Sequence, residues 1–339
     1  MGGYLPVHGQ FPIMDFKKLI RNSSNGIKPS IDEALEFLNL GTEFLNDIIY
    51  AGGTVCRKFR GNMVTTCTII NAKSGKCSEN CRFCAQSAHH KAHVETWNLQ
   101  KKEKIAEHAD GDTSFGDYFG IVTSGKTLDK NEINMILETL KYFNENKIPQ
   151  YVCGSLGIVS LEQMIELKKA GLKRYHHNLE VSRNFFPQLC TTHNWEERRQ
   201  TIENAKQAGL SLCVGGIFGV GESMKDRIDL LFEIDECDPD SVPLNFLVPV
   251  AGTPLEDSPI FNIFEAVKVI ALARLIMPEK DIKVGGGRVE VFKNDQSLPF
   301  LTGASSMITG QLLTVKGVCP DEDMKMLEKL GLKRSEYRI

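Results

Sequence analysis

The sequence predicts an α/β protein folded as a closed (β/α)8 barrel of the TIM type, and three observations support this prediction. Short apolar or β-branched segments alternate with amphipathic segments of helical length, and eight segments of the strand type can be counted. A chain of 339 residues also lies within the length range of such a barrel built as one domain. The alternation favours a parallel sheet closed on itself, with an open doubly wound sheet as the alternative.

The predicted strands are short and rich in β-branched or apolar residues. They are VTTCTII (64–70), YFGIVTS (118–124), YVCGSLG (151–157), RYHHNLE (174–180), LSLCVGGIFG (210–219), SVPLNFLVPV (241–250), DIKVGGG (281–287) and SSMITG (305–310). The predicted helices between them include KNEINMILETLKYFNENK, SLEQMIELKKAG, NWEERRQTIENAKQAG, MKDRIDLLFEIDEC and FEAVKVIALARLIM. Gly171 and Gly209 are expected to end two of these helices, since glycine tolerates the left-handed backbone found there.

The chain is expected to begin with a short arm before the barrel. Residues 1–30 show little periodicity, and a helix is predicted from Ser30, where Glu33 completes a capping-box pattern. We therefore divide the chain into an N-terminal arm and helix, residues 1–55, and a barrel with its C-terminal segment, residues 56–339.

Composition excludes several classes of function. Hydrophobic residues make up 42% of the chain and charged residues 24%, which suits a globular protein with a sizeable core. The formal net charge is −3 without a Lys/Arg stripe, so no nucleic-acid partner is expected. Without an apolar run of membrane-spanning length or an export signal, we expect a cytoplasmic protein with no membrane partner. Ten cysteines are then better interpreted as ligands, catalytic thiols or buried small side chains than as disulfides.

The segment KCSENCRFCAQSAHH contains the strongest chemical signal. Cys77, Cys81 and Cys84 lie within eight positions, directly after the first predicted strand, and active sites of α/β barrels form at the carboxyl ends of the strands. Three thiolates on a compact loop suit a four-iron four-sulfur cluster with one iron left open for a substrate or cosubstrate. The alternatives are a zinc knuckle completed by a nearby histidine, or three buried thiols.

The cysteine loop resembles that of the biotin synthase family within the radical S-adenosylmethionine superfamily. The matching segments are IINAKSGKCSENCRFCAQSAHH, YHHNLE, CVGGIFGVGES, VPLNFLVPVAGTPL and VGGGR, and the similarity spans roughly residues 35–335. The resemblance implies that methionine of S-adenosylmethionine chelates the open iron of a four-iron cluster held by Cys77, Cys81 and Cys84. One-electron reduction then gives a 5′-deoxyadenosyl radical, which acts on dethiobiotin.

The resemblance also implies partners and cofactor contacts. A flavodoxin or ferredoxin would supply the electron, and a homodimer is the family expectation. Phe83 and Ile217 are similar to residues that contact adenine. Asn178 and Glu180 resemble residues that bind the ribose hydroxyls and the methionine ammonium group; their spacing of two places them on one side of a strand.

Substrate contacts follow from the same resemblance. Asn245 matches an asparagine that holds the ureido ring of dethiobiotin, because an amide both donates and accepts hydrogen bonds. His176 occupies the place of another polar substrate contact. Thr123 and Ser124 are expected near the methionine end of the cosubstrate or the tail of the substrate.

The family carries an auxiliary iron–sulfur cluster inside the barrel, held by three cysteines and an arginine, from which sulfur is delivered. Cys153, Cys213 and Arg288 match three of the four positions. The fourth position is Gly120 in this sequence, and a glycine cannot bind iron. The chain therefore resembles a variant branch with an altered ligand set, and the nuclearity of the auxiliary cluster stays open.

Two further cysteines are candidates for the missing ligand. Cys67 is favoured because alternate residues of a barrel strand point inward and the first strand neighbours the second. Cys190 could approach as a loop ligand. Cys56, Cys237 and Cys319 are assigned to packing.

Other functions are alternatives to this one. Within radical chemistry, lipoyl-type sulfur insertion, a methylornithine-type mutase and a hydrogenase-maturation enzyme share the architecture. Outside enzymology, a non-catalytic metal-binding scaffold is the alternative. No Ser/His/Asp arrangement, P-loop or dinucleotide fingerprint competes.

Overall fold

The computed structural model describes residues 14–112, 115–148, 151–315 and 317–335. From residue 14 onward, three helices precede the barrel: α1 (Phe16–Ser23), α2 (Ile31–Leu38) and α3 (Leu45–Arg60), with a 3-10 turn at Thr42–Phe44. The capping box predicted at the start of α2 is present, since Ser30 accepts from the Glu33 amide and Glu33 accepts from the Ser30 amide.

The prediction of an irregular arm over residues 1–30 was wrong for residues 16–23, which form α1, while residues 1–13 lie outside the described residues. Asp15 caps α1 by accepting from the Lys18 amide, and Leu19 is buried. One buried leucine in an eight-residue helix is too weak a periodic signal to find from sequence. The predicted boundary between residues 55 and 56 falls inside α3, and this division of the chain stays a prediction.

Helix α3 packs closely on the barrel layer because two glycines lie at its contact surface. A Cβ at Gly52 would lie 1.9 Å from the carbonyl oxygen of Thr302, and one at Gly53 would lie 2.4 Å from that of Leu301. Any larger residue would push the helix away. The N-terminal helices are thus part of one packed body with the barrel.

Nine parallel strands build the closed barrel that the sequence predicts. They are β1 (Met63–Lys73), β2 (Tyr118–Thr123), β3 (Tyr151–Ser155), β4 (Arg174–His176), β5 (Ser211–Cys213), β6 (Gly216–Phe218), β7 (Ser241–Phe246), β8 (Asp281–Val284) and β9 (Ser306–Ile308). Their order is β1-β2-β3-β4-β5-β7-β8-β9, with β6 also on β7, and β9 pairs back with β1. The short β10 (Lys333–Arg334) pairs with the start of β1 outside this ring.

The predicted fifth strand is split into β5 and β6, which together fill one barrel position. The interruption falls at Val214 and Gly215. A Cβ at Gly215 would lie 1.9 Å from the carbonyl oxygen of Pro243, so only glycine permits this close approach to β7. The barrel therefore keeps eight positions.

The remaining helices cover the outside of the barrel or follow its strands. They are α4 (Lys102–Asp112), α5 (Lys130–Glu145), α6 (Leu161–Ala170), α7 (Phe186–Leu189), α8 (Trp195–Gln207), α9 (Met224–Glu236), α10 (Ile263–Ile276), α11 (Arg288–Phe292), α12 (Leu298–Thr302) and α13 (Pro320–Lys329). Gly171 and Gly209 follow α6 and α8 with φ of 120° and 73°, as predicted. Within the described residues, no helix combines the length and apolar character needed to cross a membrane.

Candidate active site

The cysteine loop leaves the carboxyl end of β1 and closes on itself. Gly75 and Lys76 turn the chain with φ of 73° and 50°. The Cys77 amide donates to the carbonyl of Gln86 at 3.0 Å, and the Ala88 amide donates to that of Cys77 at 2.8 Å. The Gln86 side chain accepts from the Gly75 amide at 2.9 Å. This loop, residues 75–88, holds Cys77, Cys81 and Cys84 half-buried on one compact turn.

A second loop, residues 189–193, clamps the cysteine loop from the side. The Arg82 amide donates to the carbonyl of Leu189 at 3.0 Å. Asn80 Oδ1 accepts from the Thr191 amide at 2.9 Å, and the Asn80 backbone N–H donates to Thr192 Oγ1 at 3.1 Å. The position of the three thiols is thus fixed by tertiary contacts as well as by the loop itself.

The histidines near the loop do not complete a zinc knuckle. Nε2 of His89 lies 2.9 Å from the carbonyl oxygen of Ser78, and Nε2 of His90 lies 3.0 Å from that of Cys81. A carbonyl only accepts, so both nitrogens carry protons and are used as donors. His93 lines a separate cavity with Trp97. With His89 and His90 engaged in this way, three thiols on one loop suit an iron–sulfur cluster better than tetrahedral zinc.

A cavity of about 340 Å³ occupies the barrel interior next to this loop. It collects most of the residues singled out from the sequence. Those lining it are Cys67, Phe83, Gly120, Cys153, His176, Asn178, Glu180, Cys213, Ile217 and Asn245. Phe83 belongs to the cysteine loop, so the loop and the barrel interior share one chamber.

Polar groups after β4 form one side of the cavity. Glu180 has φ of 68°, an uncommon left-handed conformation for this residue type that fits a functional position. Asn178 Nδ2 donates to Glu180 Oε2 at 3.3 Å, whereas its buried Oδ1 has no hydrogen-bond partner among the described residues. An acceptor left free in a cavity suits a ligand that carries hydroxyl donors.

Arg198 on α8 was missed by sequence reasoning, because helical periodicity alone does not distinguish it from neighbouring charged residues. Its Nη2 donates to Glu180 Oε1 at 3.1 Å, and its Nε donates to the carbonyl of Asn178 at 2.6 Å. Arg198 therefore fixes the positions of Asn178 and Glu180 from outside the cavity. Ile217 is linked to the same segment, since its amide donates to the Glu180 carbonyl at 2.7 Å.

Three buried thiols, Cys67, Cys153 and Cys213, line the deeper part of the cavity. Gly120 lies between them, paired in register with Ile69 on β1 and Cys153 on β3. A Cβ built on Gly120 would lie 2.9 Å from Ile69 Cγ2. The Ile69 side chain thus occupies the space in which a side chain at position 120 would begin.

A buried lysine accompanies these thiols. Lys283 on β8 is 4% exposed and lines the cavity, with Nζ 4.0 Å from Cys213 Sγ, and His176 Nδ1 lies 3.2 Å from the same sulfur. Burial raises the pKa of the Cys213 thiol, but the positive charge of Lys283 and the contact with His176 outweigh burial and lower this pKa below its ordinary value. Burial raises the pKa of Cys67 and Cys153. The chamber therefore combines soft ligands with a cation.

The prediction that Arg288 lies beside these cysteines needs correction. Its guanidinium donates to both carboxylate oxygens of Asp323, at 2.7 and 2.9 Å, and it does not line the cavity. Arg288 begins α11, past the turn that follows β8, where the inward alternation of the strand no longer applies. The signal for Lys283 was present, since it is a charged residue inside a short apolar strand.

Cys190 also lies apart from the inner thiols. It belongs to the clamping loop and is buried against the cysteine loop, with its sulfur 3.3 Å from Asn80 Oδ1, and it does not line the cavity. Among the two candidates for the missing ligand, the structure brings only Cys67 to Cys153 and Cys213. Cys56 and Cys237 are buried as expected, whereas Cys319 is exposed, so its assignment to packing was wrong.

The remaining residues predicted to contact the substrate or cosubstrate form hydrogen bonds with other groups of the protein. Asn245 lines the cavity, but its amide already donates to the Gly216 carbonyl at 3.1 Å and accepts from the Gly286 amide at 2.9 Å. Ser124 Oγ donates to the Gly75 carbonyl at 2.8 Å and so supports the cysteine loop. Thr123 donates to the carbonyl of Ser155 at 3.4 Å. Neither Thr123 nor Ser124 lines the cavity.

Residues 72–234 match the Radical SAM superfamily, and residues 243–333 match the Biotin and Thiamin Synthesis associated domain. In fold, the chain is similar to methylornithine synthase (PylB), with a TM-score of 0.82 at 19% identity over 94% of this chain and 97% of that one. It is also similar to the FeFe-hydrogenase maturase HydG from Carboxydothermus hydrogenoformans, with a TM-score of 0.81 at 16% identity over 96% of this chain and 80% of that one. A closed parallel barrel with three cysteines after its first strand, matched to this superfamily, defines a radical S-adenosylmethionine enzyme.

Sequence relatives narrow the class. The biotin synthase of Endomicrobium trichonymphae is 42% identical over 94% of this chain and 98% of its own length. That of Heliobacterium modesticaldum is 46% identical over 84% and 88%, and that of Geotalea daltonii is 42% identical over 94% and 97%. The chain belongs to the biotin synthase family, whose members are radical S-adenosylmethionine sulfurtransferases. The three loop thiols and the free Asn178 oxygen fit the cluster and the nucleoside cosubstrate that this family implies.

Proposed function

We propose that this enzyme inserts sulfur into dethiobiotin to give biotin, with the assigned residues acting in the roles described below. One observation carries the proposal: three buried thiols line a cavity inside the barrel, and the three-thiol loop adjoins the same cavity through Phe83. The first set suits generation of a radical, and the second suits storage of sulfur close to the substrate.

Cys77, Cys81 and Cys84 would hold the four-iron four-sulfur cluster. When bound, this cluster and S-adenosylmethionine supply the 5′-deoxyadenosyl radical, and an auxiliary iron–sulfur cluster supplies the sulfur. The protein contributes position and exclusion of water. The barrel encloses the cavity, so a reactive species formed there meets the substrate before solvent.

Asn178, Glu180, Phe83 and Ile217 would bind the cosubstrate. The free Oδ1 of Asn178 is available to a ribose hydroxyl, and the Glu180 carboxylate to the methionine ammonium group. Phe83 and Ile217 offer apolar surface to adenine at the junction of the cysteine loop and the cavity. Arg198 would keep Glu180 oriented throughout, because it bonds that carboxylate from outside the cavity.

Cys67, Cys153 and Cys213 would hold the auxiliary cluster, with Lys283 in the place that sequence matching gave to Arg288. An anionic cluster on three thiolates is favoured by a buried ammonium, since burying unpaired charge of either sign is costly. The lowered pKa of Cys213 also favours its thiolate form for metal binding. Gly120 would not take part, and Cys190 would belong to the outer shell of the first cluster.

The substrate would lie between the two thiol sets, near His176 and Asn245, which line the same cavity. Asn245 would keep its hydrogen bonds to Gly216 and Gly286 and so fix the cavity wall around the ureido ring. It would not have to break both of these bonds to contact the ring. A flavodoxin or ferredoxin would donate the electron, and the active unit would be a homodimer.

The test is anaerobic reconstitution with iron and sulfide, followed by incubation with S-adenosylmethionine, a low-potential reductant and dethiobiotin. We expect both biotin and 5′-deoxyadenosine. Deoxyadenosine without biotin would keep the radical chemistry and overturn the substrate. Zinc without labile sulfide in the purified protein would overturn the cluster chemistry as a whole.

A further inference from the structure

Cys190 and Cys81 lie sulfur to sulfur at the edge of the cysteine loop. The ligand atoms of Cys81, Cys190 and His193 all lie within 4.8 Å of one another. Cys190 is 3% exposed, whereas Cys81 is half-buried. Neither the proposed cluster sites nor the substrate contacts account for a buried thiol in this place.

These three residues do not form a free metal site. Arg198 Nη1 lies 3.1 Å from His193 Nε2, and because a guanidinium only donates, Nε2 must be the acceptor. The ring proton is therefore on Nδ1, where it points to Glu79 Oε2 at 2.6 Å. His193 would have to lose that hydrogen bond and its proton to bind a metal ion through Nδ1. What remains unassigned is the Cys190 thiol beside the proposed cluster ligand Cys81.

We propose that Cys81 and Cys190 are a reversible redox pair, which closes into a disulfide when the cluster on the loop has been destroyed by oxidation. The proposal rests on the proposed function only in taking Cys81 as a cluster ligand. With a cluster bound, the Cys81 sulfur is occupied by iron and Cys190 stays a thiol. Once the iron is lost, oxidation joins the Cys81 and Cys190 sulfurs in an S–S bond.

The chemistry balances with one hydrogen peroxide as the oxidant. The Cys81 sulfur, the more exposed of the two, is left as a thiolate when the iron departs and attacks peroxide, so that an S–O bond forms, the O–O bond breaks and hydroxide leaves, which takes up a proton from solvent to become water. The Cys190 sulfur then attacks the Cys81 sulfenic acid, so that the S–S bond forms, the S–O bond breaks and a second water leaves. Two thiols lose two electrons in total, and a dithiol reductant restores them by exchange.

The backbone around the pair is already held in place for such a bond. The hydrogen bond from the Arg82 amide to the Leu189 carbonyl joins the residues next to each cysteine, at 3.0 Å. Asn80 on one side is tied to Thr191 on the other at 2.9 Å. A disulfide requires the two backbones to be close together, and these hydrogen bonds hold the two loops side by side at the cysteines.

The bond would preserve the site for repair. A free Cys81 thiolate exposed by loss of the cluster can be oxidised irreversibly to the sulfinic or sulfonic acid, which no longer binds iron. Formation of a disulfide with Cys190 stops the oxidation of Cys81 at a stage that a thiol can reverse. The bond also keeps the cysteine loop attached to the clamping loop. Cluster rebuilding then depends on thiol reduction.

The test starts from the reconstituted full-length protein, treated with hydrogen peroxide until the cluster absorbance is lost, alkylated and mapped by mass spectrometry. We expect a Cys81–Cys190 linked peptide, and recovery of iron on reconstitution after dithiothreitol. In Cys190→Ser, Cys81 should carry sulfinic or sulfonic acid and the recovered iron should fall several-fold. Cys237→Ser, which changes a buried thiol directly after α9, should behave like the wild type.

Three results would overturn the inference. They are a disulfide from Cys81 to Cys77 or Cys84, oxidation of Cys81 in the wild type without any bridge, and equal recovery in Cys190→Ser and wild type. Iron and sulfide in the untreated protein report separately on the cluster itself. Failure of the redox pair and failure of the proposed function therefore give different results.

Discussion

Arg288 and Asp323 form a buried bidentate ion pair, with the guanidinium 2.7 and 2.9 Å from the two carboxylate oxygens and side chains that are 3% and 1% exposed. Thr309 Oγ1 adds a third hydrogen bond to Asp323 at 2.8 Å. The pair joins α11 to α13 and gives Arg288 a structural role outside the cavity. It also explains why the inner thiols take their positive charge from another residue.

Breaking this pair should destabilise the fold strongly. Asp323→Ala leaves the Arg288 guanidinium buried and unpaired, and loss of one partner of a buried pair costs about 3–5 kcal/mol. Thermal unfolding should show a large drop in Tm. Glu322→Ala, at the exposed neighbouring position, should change Tm little. An Asp323→Ala protein as stable as the wild type would contradict the structural role of the pair.

Replacing Lys283 should affect the auxiliary site rather than the fold. Lys283→Met keeps the length of the side chain and removes the charge beside Cys213, so the pKa of that thiol should rise. We expect less auxiliary iron and sulfide per chain, and slower alkylation of Cys213 at neutral pH in the cluster-free protein. Lys225→Met, on the exposed surface of α9, is the matched control. An unchanged rate of Cys213 alkylation in Lys283→Met would show that the charge of Lys283 does not lower the pKa of this thiol.

Replacing each of the two candidate cysteines should affect the iron content of the protein differently. Cys67→Ser removes a thiol that lines the cavity and should lose auxiliary iron while keeping the cluster of the cysteine loop. Cys190→Ser, outside the cavity, should keep both under anaerobic conditions. Iron and sulfide analysis of the two variants, reconstituted side by side, gives the comparison. Loss of auxiliary iron in Cys190→Ser alone would reverse the assignment.

Restoring a cysteine at position 120 should require space next to it. Gly120→Cys places a Cβ 2.9 Å from Ile69 Cγ2, and such overpacking typically costs about 1–3 kcal/mol. Ile69→Ala removes that methyl group, so the double variant should be more stable than the sum of the single changes predicts. Tm values of the four proteins in a double-mutant cycle measure this coupling. Additive effects would show that Ile69 does not exclude a side chain at position 120.

Glu233 should make stability depend on pH. Burial, reinforced by the nearby Asp229 and Glu236, raises the pKa of Glu233 to about 7, although the Arg183 amide opposes this. The folded state then holds a proton that the unfolded chain releases at lower pH, so stability falls as pH rises through about 7. Glu233→Gln should therefore raise Tm at pH 8 more than at pH 5. Glu103→Gln, exposed on α4, should show no such difference.

The barrel could be predicted from sequence because its signals are local and repeated. Each strand shows β-branched or apolar runs, and each helix has its own period and caps, as at Ser30. The site was harder, because ligand positions depend on which side of a strand end a residue faces. Cys153 and Cys213 lie on the predicted strands and line the cavity, and their role as ligands stays a prediction, whereas Arg288 lies beyond a turn and does not line the cavity.

The remaining differences come from long-range contacts that one sequence does not reveal. The place of Cys190 is decided by hydrogen bonds between loops about a hundred residues apart, such as Asn80 to Thr191. Arg198 gains its role only because α8 packs behind the end of β4. Lys283 differs from these residues, because a lysine within an apolar strand indicates from sequence alone a buried charge that needs a partner.

The most direct test of the central claim is the fate of the hydrogen that the radical must remove. Dethiobiotin with a deuterated methyl group should be incubated with the reconstituted enzyme, S-adenosylmethionine and reductant, and the 5′-deoxyadenosine analysed by mass spectrometry. We expect deuterium in the deoxyadenosine together with formation of biotin. Biotin formed with unlabelled deoxyadenosine, or with none, would contradict it.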